Sequence, residues 1–247
     1  MFAYILTILR HISEIILMNT FTQNQLKHIV ARATCEKIKK QINAKTVLGI
    51  GSGSTVNYFV DALSNAKLSF GGAIPASENT KNLLIKRGIK VLELNSIDTL
   101  PLYIDGADEV DDKFYLIKGG GGALAREKVL ASASEEFLCL VDFNKKVQKL
   151  GIFPIAIEIL PMAKTFVEKQ IKLLGGYSSL RKDFITDNGN FILDTQNLNA
   201  DDPSLLETKL NNIAGVVASG IFSSQRPEKI IMANANGSIT ESKRTKN

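Results

Sequence analysis

Residues 105–128 read DGADEVDDKFYLIKGGGGALAREK, and this stretch determines how the rest of the chain is organised. The residues just before it, 102–104, are apolar and predict a short strand. That strand ends at two carboxylates, Asp105 and Asp108. Ligands bind beyond the carboxyl ends of strands in open α/β sheets, so both aspartates are candidate site residues.

A second strand is predicted at residues 114–117, and it ends at Lys118. The four glycines at 119–122 follow, and they permit a tight turn and a close approach to a ligand because no Cβ stands in the way. A helix is predicted to begin near Ala123. The stretch therefore combines two carboxylates, one ammonium group and an adaptable backbone turn.

Glu127 occupies an unusual position on the predicted helix. It lies three residues from both Leu124 and Leu130, on the apolar stripe of the helix. Apolar neighbours disfavour the charged form of a carboxylate and raise its pKa, which suits a base that works near neutral pH. The alternative is that Glu127 is only the acidic partner in a structural ion pair. Arg126 and Lys128 lie on the flanks of the helix, where charges normally face solvent.

Composition indicates an ordinary globular protein. A chain of 247 residues with 45% hydrophobic residues fits one large domain or two small ones. The net charge is +5, and the basic residues Lys243, Arg244 and Lys246 predict only a solvated tail, so nucleic-acid binding is disfavoured. Cys35 and Cys139 have no CxxC spacing, which argues against a disulfide framework or a zinc site and for a reducing cytoplasm.

An anion site is predicted between residues 46 and 63. A buried parallel strand at 46–50 is followed by the loop GSGST and by a helix at 56–63. Backbone N–H groups converge at such a helix start, where phosphate binds. A dinucleotide fingerprint would need a third glycine where Ser54 stands, and no lysine follows the glycines as a P-loop requires. A monophosphate is therefore favoured.

Further strands and helices alternate along the first part of the chain, which predicts an open parallel sheet with right-handed crossovers. A packing helix is predicted at 22–43, and the additional strands at 72–74, 91–94 and 137–141. Lys145 follows the last of these strands. It is a candidate second cation for the phosphate, although a loop lysine is more often only solvated.

The pattern changes near Gly151 and predicts a small α+β unit. Its predicted elements are a strand at 153–160, a helix at 163–174, a hairpin at 184–194 that turns at 187–190, a helix at 203–213 and a strand at 216–222. A strand at 229–233 is predicted to return to the first sheet.

Four sequence blocks resemble the signature blocks of ribose-5-phosphate isomerase type A. They are IGSGST at 50–55, DGADE at 105–109, KGGGGAL at 118–124 and REK at 126–128. The similarity runs from about Thr22 to about Ile239. The family more often has threonine where Ser52 stands, and serine keeps the hydroxyl group.

The resemblance implies a fold, an assembly and an activity. The fold is a Rossmann-like parallel sheet domain, residues 19–150 and 228–247, with an inserted smaller α+β domain, residues 151–227. The assembly is a homodimer or a homotetramer. The activity is the interconversion of ribose 5-phosphate and ribulose 5-phosphate in the cytoplasm, within the pentose phosphate pathway and without a cofactor or a metal.

Site roles carry over by motif, with Glu127 as the proton acceptor and Lys118 as the group that stabilises an enediolate. Asp105 or Asp108 assists ring opening, and the alternative for Asp108 is a cap on backbone N–H groups. The implied substrate contacts are Ser52, Gly53, Ser54, Thr55, Asp105, Gly106, Ala107, Asp108, Lys118, Gly119, Gly120, Gly121 and Lys145.

Two other functions fit parts of the pattern. A sugar-phosphate sensor would keep the phosphate loop without needing Glu127, but the region before Thr46 is too short and too poor in basic residues for a helix-turn-helix domain. An isomerase that deaminates amino-sugar phosphates is disfavoured because the chain has only two histidines, His11 and His28.

Residues 1–18 form an amphipathic N-terminal extension that has no counterpart in the resemblance. The apolar stripe is too short for a membrane span and lacks the features of a signal peptide. The extension is either an added packing helix or the product of a misassigned start, with Met18 as the first residue. The second interpretation is favoured, and residues 1–17 are expected to be dispensable for folding and catalysis.

Overall fold

The computed structural model describes residues 21–245. Its helices are α1 (Gln23–Ile38), α2 (Ser54–Asn65), α3 (Glu78–Lys86), α4 (Leu124–Ala133), α5 (Lys164–Leu173) and α6 (Pro203–Asn211). Its strands are β1 (Val47–Ile50), β2 (Gly72–Pro75), β3 (Leu100–Asp105), β4 (Glu109–Val110), β5 (Leu116–Ile117), β6 (Ser134–Asp142), β7 (Ile155–Ile159), β8 (Tyr177–Leu180), β9 (Phe191–Gln196), β10 (Val216–Ser219), β11 (Ile221–Phe222), β12 (Lys229–Ala233) and β13 (Ile239–Lys243).

The central sheet has six strands in the order β13-β12-β6-β3-β1-β2. All neighbours are parallel except β13, which pairs antiparallel with β12 at the edge. One face packs on α1 and α2 through residues such as Leu26 and Phe59, and the other packs on α4 through Leu130. Burial on both faces explains why the inner strands β1 and β3 are mostly apolar, whereas the edge strand β13 is exposed and polar. The predicted α/β class and the return of β12 to this sheet are confirmed.

A separate antiparallel sheet has the order β10-β7-β9-β8 and is covered by α5 and α6. A third, small sheet joins β11, β5 and β4. The strand predicted at 216–222 is split between these two sheets at Gly220. A Cβ on Gly220 would lie 2.3 Å from the carbonyl oxygen of Lys118, so only glycine fits where the sheets meet. The boundaries predicted for an inserted domain, 151–227, stay a prediction.

Three local predictions are wrong. Residues 91–94 form no strand, because only Val91 makes an isolated bridge, to Ala73, before a 3-10 turn at Leu94–Ser96. The predicted hairpin at 184–194 lacks its first strand, since β9 pairs with β8 and residues 181–190 form the connecting loop, although the predicted turn is present and the Thr186 N–H donates to the Asn190 carbonyl oxygen at 2.9 Å. The C-terminal basic residues are not a solvated tail, because Lys243 ends β13 and Arg244 lies 2.6 Å from Glu228.

The predictions for the N-terminal extension, residues 1–18, and for Lys246 lie outside the described residues. Between residues 21 and 245, no helix has the length and apolar character needed to cross a membrane.

Candidate active site

A cleft opens at the carboxyl ends of β1, β3 and β5, where three sequence-predicted loops meet. Its empty volume is about 480 Å³, including the space open to solvent at its mouth. The cleft is lined by Lys27, Ser52, Gly53, Ser54, Thr55, Gly106, Ala107, Asp108, Lys118, Gly119, Gly120, Gly121, Glu127 and Lys145. The structure thus brings together every predicted site residue except Asp105, which lies beneath the cleft.

The loop after β1 presents backbone donors to the cleft. Helix α2 begins at Ser54, and its N-cap, Gly53, has a φ of 93° and makes no capping side-chain bond. The N–H groups of the first turn are therefore available to an anion at the positive end of the helix dipole. Thr80 Oγ1 donates to the Gly51 carbonyl oxygen at 2.8 Å and fixes the loop from below.

Asp105 is fully buried and has four partners. Its Oδ1 accepts from the N–H groups of Ser52, at 3.1 Å, and Gly106, at 2.7 Å. Its Oδ2 accepts from the Tyr103 hydroxyl and lies 2.7 Å from Lys118 Nζ. Both oxygens are occupied, so the direct substrate contact expected for Asp105 does not agree with its burial. Its carboxylate instead holds the other site groups in place.

Lys118 is 3% exposed at the floor of the cleft. Its Nζ donates to the Gly106 carbonyl oxygen at 2.7 Å and lies 3.2 Å from Glu127 Oε2. Burial alone would lower the pKa of Lys118, but the negative charges of Asp105 and Glu127 outweigh it and raise the pKa above its usual value. The ammonium group therefore stays protonated.

Glu127 is 3% exposed on α4, as its place on the apolar stripe predicted. Burial is the main cause that raises its pKa to about 7, and the charge of Asp105 adds to it, while Lys118 and the Ser52 hydroxyl oppose it. Ser52 Oγ donates to Oε1. Oε2 is within ion-pair distance of Lys118 but accepts no aligned hydrogen bond from the described residues. Ser52 thus orients one carboxylate oxygen, and the other is buried beside Lys118 without an aligned donor.

The glycine turn, residues 119–122, forms the wall beside Glu127. Gly122 N–H donates to the Gly119 carbonyl oxygen at 2.9 Å and closes the turn, with φ of 105° at Gly119 and 80° at Gly122. Asp108 Oδ2 accepts from the Gly120 N–H at 2.8 Å. The alternative role of Asp108, a cap on backbone N–H groups, is therefore present in the structure. Asp108 also lines the cleft.

Lys27 is the site residue that sequence reasoning missed. It lies on α1, which was predicted only as a packing helix, and it lines the same cleft as Lys145. The only signal in the sequence was a lysine near the start of a helix that otherwise has the pattern of a packing helix. That α1 lies next to the loop after β1 could not be predicted, because this contact joins residues far apart in the sequence.

Arg126 and Lys128, the charged residues on either side of Glu127 in α4, differ in how far they are buried. Arg126 is partly exposed, as predicted, and lies 3.1 Å from Glu78. Lys128 is not on a wet flank: it is largely buried, pairs with Glu207 and donates to the Ile221 carbonyl oxygen at 2.7 Å. Burial lowers the pKa of Lys128, although Glu207 opposes the change.

Among the described residues, the side chains that could bind a metal ion do not lie together. Cys35 and Cys139 are buried free thiols. Within residues 21–245, no three histidine, cysteine, aspartate or glutamate side chains are grouped so that they could hold a metal ion.

Comparison with known proteins gives consistent matches. The model of the family described as ribose 5-phosphate isomerase A (phosphoriboisomerase A) matches residues 72–237. Ribose-5-phosphate isomerase A of Legionella pneumophila (strain Lens) is 46% identical over 214 residues, which cover 87% of this chain and 97% of that protein.

Solved structures agree with the sequence matches. Ribose 5 phosphate isomerase A from Neisseria gonorrhoeae superposes with a TM-score of 0.87 at 37% identity, covering 92% of this chain and 100% of that chain. The enzyme from Methanocaldococcus jannaschii gives 0.83 at 35% identity, covering 90% and 100%. The chain belongs to the ribose 5-phosphate isomerase A family.

Proposed function

We propose that this protein interconverts D-ribose 5-phosphate and D-ribulose 5-phosphate through an enediolate intermediate. Membership of the family supports the reaction, and one observation in the site carries the chemistry. Glu127 Oε2 has no aligned hydrogen-bond donor and sits 3.2 Å from the ammonium group of Lys118, at the floor of a cleft that begins at an anion-binding helix terminus. A base beside a fixed cation is what proton transfer next to a carbonyl group requires.

The phosphate group binds at the start of α2. Ser54 and Thr55 supply hydroxyl and N–H donors there, and Lys27 and Lys145 supply positive charge from the cleft wall. Contacts to a phosphate that does not react hold substrate and transition state equally, so they affect binding more than turnover.

Asp108 assists the opening of the furanose ring by moving a hydroxyl proton. It lines the cleft, whereas the oxygens of Asp105 are already occupied by four partners below the floor. This difference in access favours Asp108, which the sequence could not rank against Asp105.

Glu127 then takes the proton from C2 of the open-chain aldose and delivers it to C1. The proton of the C2 hydroxyl group moves to the C1 oxygen during the same reaction. These two proton transfers convert the aldose into the ketose, and no atom is gained or lost. Lys118 and the N–H groups of the glycine turn stabilise the negative oxygen of the enediolate. The mechanism needs no redox carrier.

An assay of the purified protein with ribose 5-phosphate tests the proposal, with glucosamine 6-phosphate assayed in parallel. We expect ketose to form from ribose 5-phosphate and no ammonia to be released from the amino sugar. Binding of ribose 5-phosphate without turnover would support a sensor, and release of ammonia would support a deaminating isomerase. Either result would reject the proposed function.

We also propose that the enzyme acts in the cytoplasm, in the non-oxidative branch of the pentose phosphate pathway, as a homodimer with an inserted domain at 151–227. Large apolar side chains on the segment from 152 to 173 support an interface between copies, because Met162 is 93% exposed and Ile152 and Leu173 are each 80% exposed. Light scattering on the eluted protein tests the assembly. A mass of one chain would reject it, and a mass of four chains would indicate a tetramer.

A further inference from the structure

Arg181, which directly follows β8, contacts the outer side of the glycine turn. Its Nη1 lies 3.2 Å from the carbonyl oxygens of both Gly119 and Gly120. The opposite side of the same guanidinium group is held by Asp194 on β9, with Nε 2.9 Å from Oδ2 and Nη2 paired with Oδ1. A planar guanidinium held at two points is a rigid donor. Asp194 therefore fixes Arg181 against the turn.

The two carbonyl groups bound by Arg181 determine where the next two N–H groups point. The described residues contain no cis peptide bonds, so the C=O and N–H of each peptide unit face opposite directions. The Gly119 carbonyl faces Arg181, and the following Gly120 N–H donates to Asp108 Oδ2 at 2.8 Å. The Gly120 carbonyl also faces Arg181, and the following Gly121 N–H points away from it. No group among residues 21–245 accepts from the Gly121 N–H, and Gly121 lines the cleft.

A second contact from the same loop holds the end of the turn. The ring of Phe184 packs against Gly122 so closely that a Cβ there would lie 2.2 Å from the ring Cζ. The guanidinium carbon of Arg181 lies 5.3 Å from the centroid of this ring, a cation–π distance. Arg181 and Phe184 thus both contact the glycine turn, and neither of them lines the cleft.

We propose that Arg181 is a positioning residue for the isomerisation. It holds two peptide units so that Asp108 keeps its place for ring opening and the Gly121 N–H faces the enediolate oxygen. Arg181 touches no substrate and acts only through the turn. The inference rests on the proposed function, because both groups that it orients act in that reaction.

The test compares Arg181→Gln with Lys182→Gln, a neighbour that is exposed and loses the same charge. Turnover and KM are measured with ribose 5-phosphate, and inorganic phosphate is used as a competitive inhibitor. We expect kcat of Arg181→Gln to fall roughly 10- to 100-fold, as when an oxyanion donor is misplaced, with KM and phosphate inhibition changed less than about threefold. Lys182→Gln should keep the wild-type values.

Asp194→Asn separates positioning from simple stabilisation, because it removes the charge of the ion pair while its amide oxygen can still accept from the guanidinium and keep it beside the carbonyl groups. We expect it to lower the melting temperature about as much as Arg181→Gln while kcat falls much less. Equal losses of kcat in the two variants, or a wild-type kcat in folded Arg181→Gln, would overturn the proposal.

Arg181→Lys carries the same test if Arg181→Gln does not fold, since an ammonium group can still pair with Asp194 but cannot span both carbonyl oxygens. We expect an intermediate kcat, and a wild-type kcat would overturn the proposal. If the wild-type protein does not isomerise ribose 5-phosphate, the proposed function itself fails. If it does and the Arg181 variants match it, only the role of Arg181 fails.

Discussion

The side chain of Glu127 has one oxygen held by Ser52 and one buried beside Lys118 without an aligned donor, so replacing it by glutamine tests the base with little change of shape. We expect Glu127→Gln to retain its fold and its KM for ribose 5-phosphate, within about threefold. Turnover should fall roughly 10²- to 10⁴-fold, about 3–5 kcal/mol of barrier, because an amide cannot take a proton. Steady-state kinetics check this, and wild-type turnover would remove Glu127 from the mechanism.

The raised pKa of Glu127 predicts how activity depends on pH. Burial brings this pKa to about 7, and only the deprotonated form is a base. We expect kcat/KM to rise with pH through about 7 and then to level off. A profile that is flat between about pH 5.5 and pH 8.5 would contradict the assignment.

The same pKa predicts a change in stability of defined sign. Glu127 binds its proton more tightly in the folded chain than at its ordinary pKa of 4.5. Its contribution to the free energy of unfolding is fully present below about pH 4.5 and is lost as the pH rises through about 7. Glu127→Gln should therefore melt at a higher temperature than the wild type at about pH 8, with the difference shrinking towards pH 5. The gain is at most about 3 kcal/mol.

Lys145 and Lys146 are adjacent but differ in position, which provides a matched pair. Lys145 lines the cleft, whereas Lys146 is exposed and lies 2.8 Å from Asp112. Lys145→Gln should raise KM about tenfold, which corresponds to about 1.4 kcal/mol, with little change in kcat, if the ammonium group contacts the phosphate. Lys146→Gln should leave both constants unchanged. A fall in kcat at constant KM for Lys145→Gln would assign the lysine to the reacting carbons.

At the scale of elements, Gly220 joins two sheets between β10 and β11. A Cβ there would lie 2.3 Å and 3.0 Å from two backbone carbonyl oxygens, of Lys118 and Ala156, which cannot move independently of their strands. We expect Gly220→Ala to lower the free energy of unfolding by about 3 kcal/mol.

Gly175→Ala is the control for Gly220→Ala. Gly175 has a φ of 87° and nothing within 4 Å of an added Cβ, so alanine there costs only the left-handed backbone conformation, about 1–2 kcal/mol. Urea denaturation measures both variants. An equal or smaller loss for Gly220→Ala would show that the sheets move apart easily at this junction.

The sequence predicted the elements that bear the chemistry better than it predicted their neighbours. The strand ending at Asp105 and the helix of Glu127 follow strong local patterns, and both were found as predicted. Strand β8 was missed because its residues alternate between exposed and half-buried positions and include two serines. The burial of Lys128 could not be predicted, since its partner Glu207 is 79 residues away.

At the scale of the whole molecule, the Lys128–Glu207 pair ties α4, which carries Glu127, to α6 beside the antiparallel sheet. Glu207 also accepts from the N–H of Ser223 at 2.9 Å, and Lys128 lies 4.8 Å from the ring centroid of Phe222. We expect Lys128→Met to lower the free energy of unfolding by about 3–5 kcal/mol, because it leaves a buried carboxylate unpaired. The additional change Glu207→Gln should restore part of that loss.

Urea denaturation of both single variants and of the double variant measures the coupling between Lys128 and Glu207. Losses that simply add would show that the two charges do not stabilise each other in the folded chain. Turnover by the folded double variant should remain within about threefold of the wild type, because neither side chain lines the cleft.

The strand that delivers Lys118 depends on residues that are made much later. Strand β5 pairs with β11, and the Lys118 N–H donates to the Gly220 carbonyl oxygen at 2.9 Å. A ribosome adds roughly 5–20 residues per second, so β11 emerges about 5–20 s after β5. The central strand β6 likewise lacks its neighbour until β12 has been synthesised. A growing chain thus contains the proposed catalytic groups long before it can hold them, and it exposes unpaired strand edges in the meantime. Its yield in the cell should therefore depend on chaperones that shield such edges until synthesis ends.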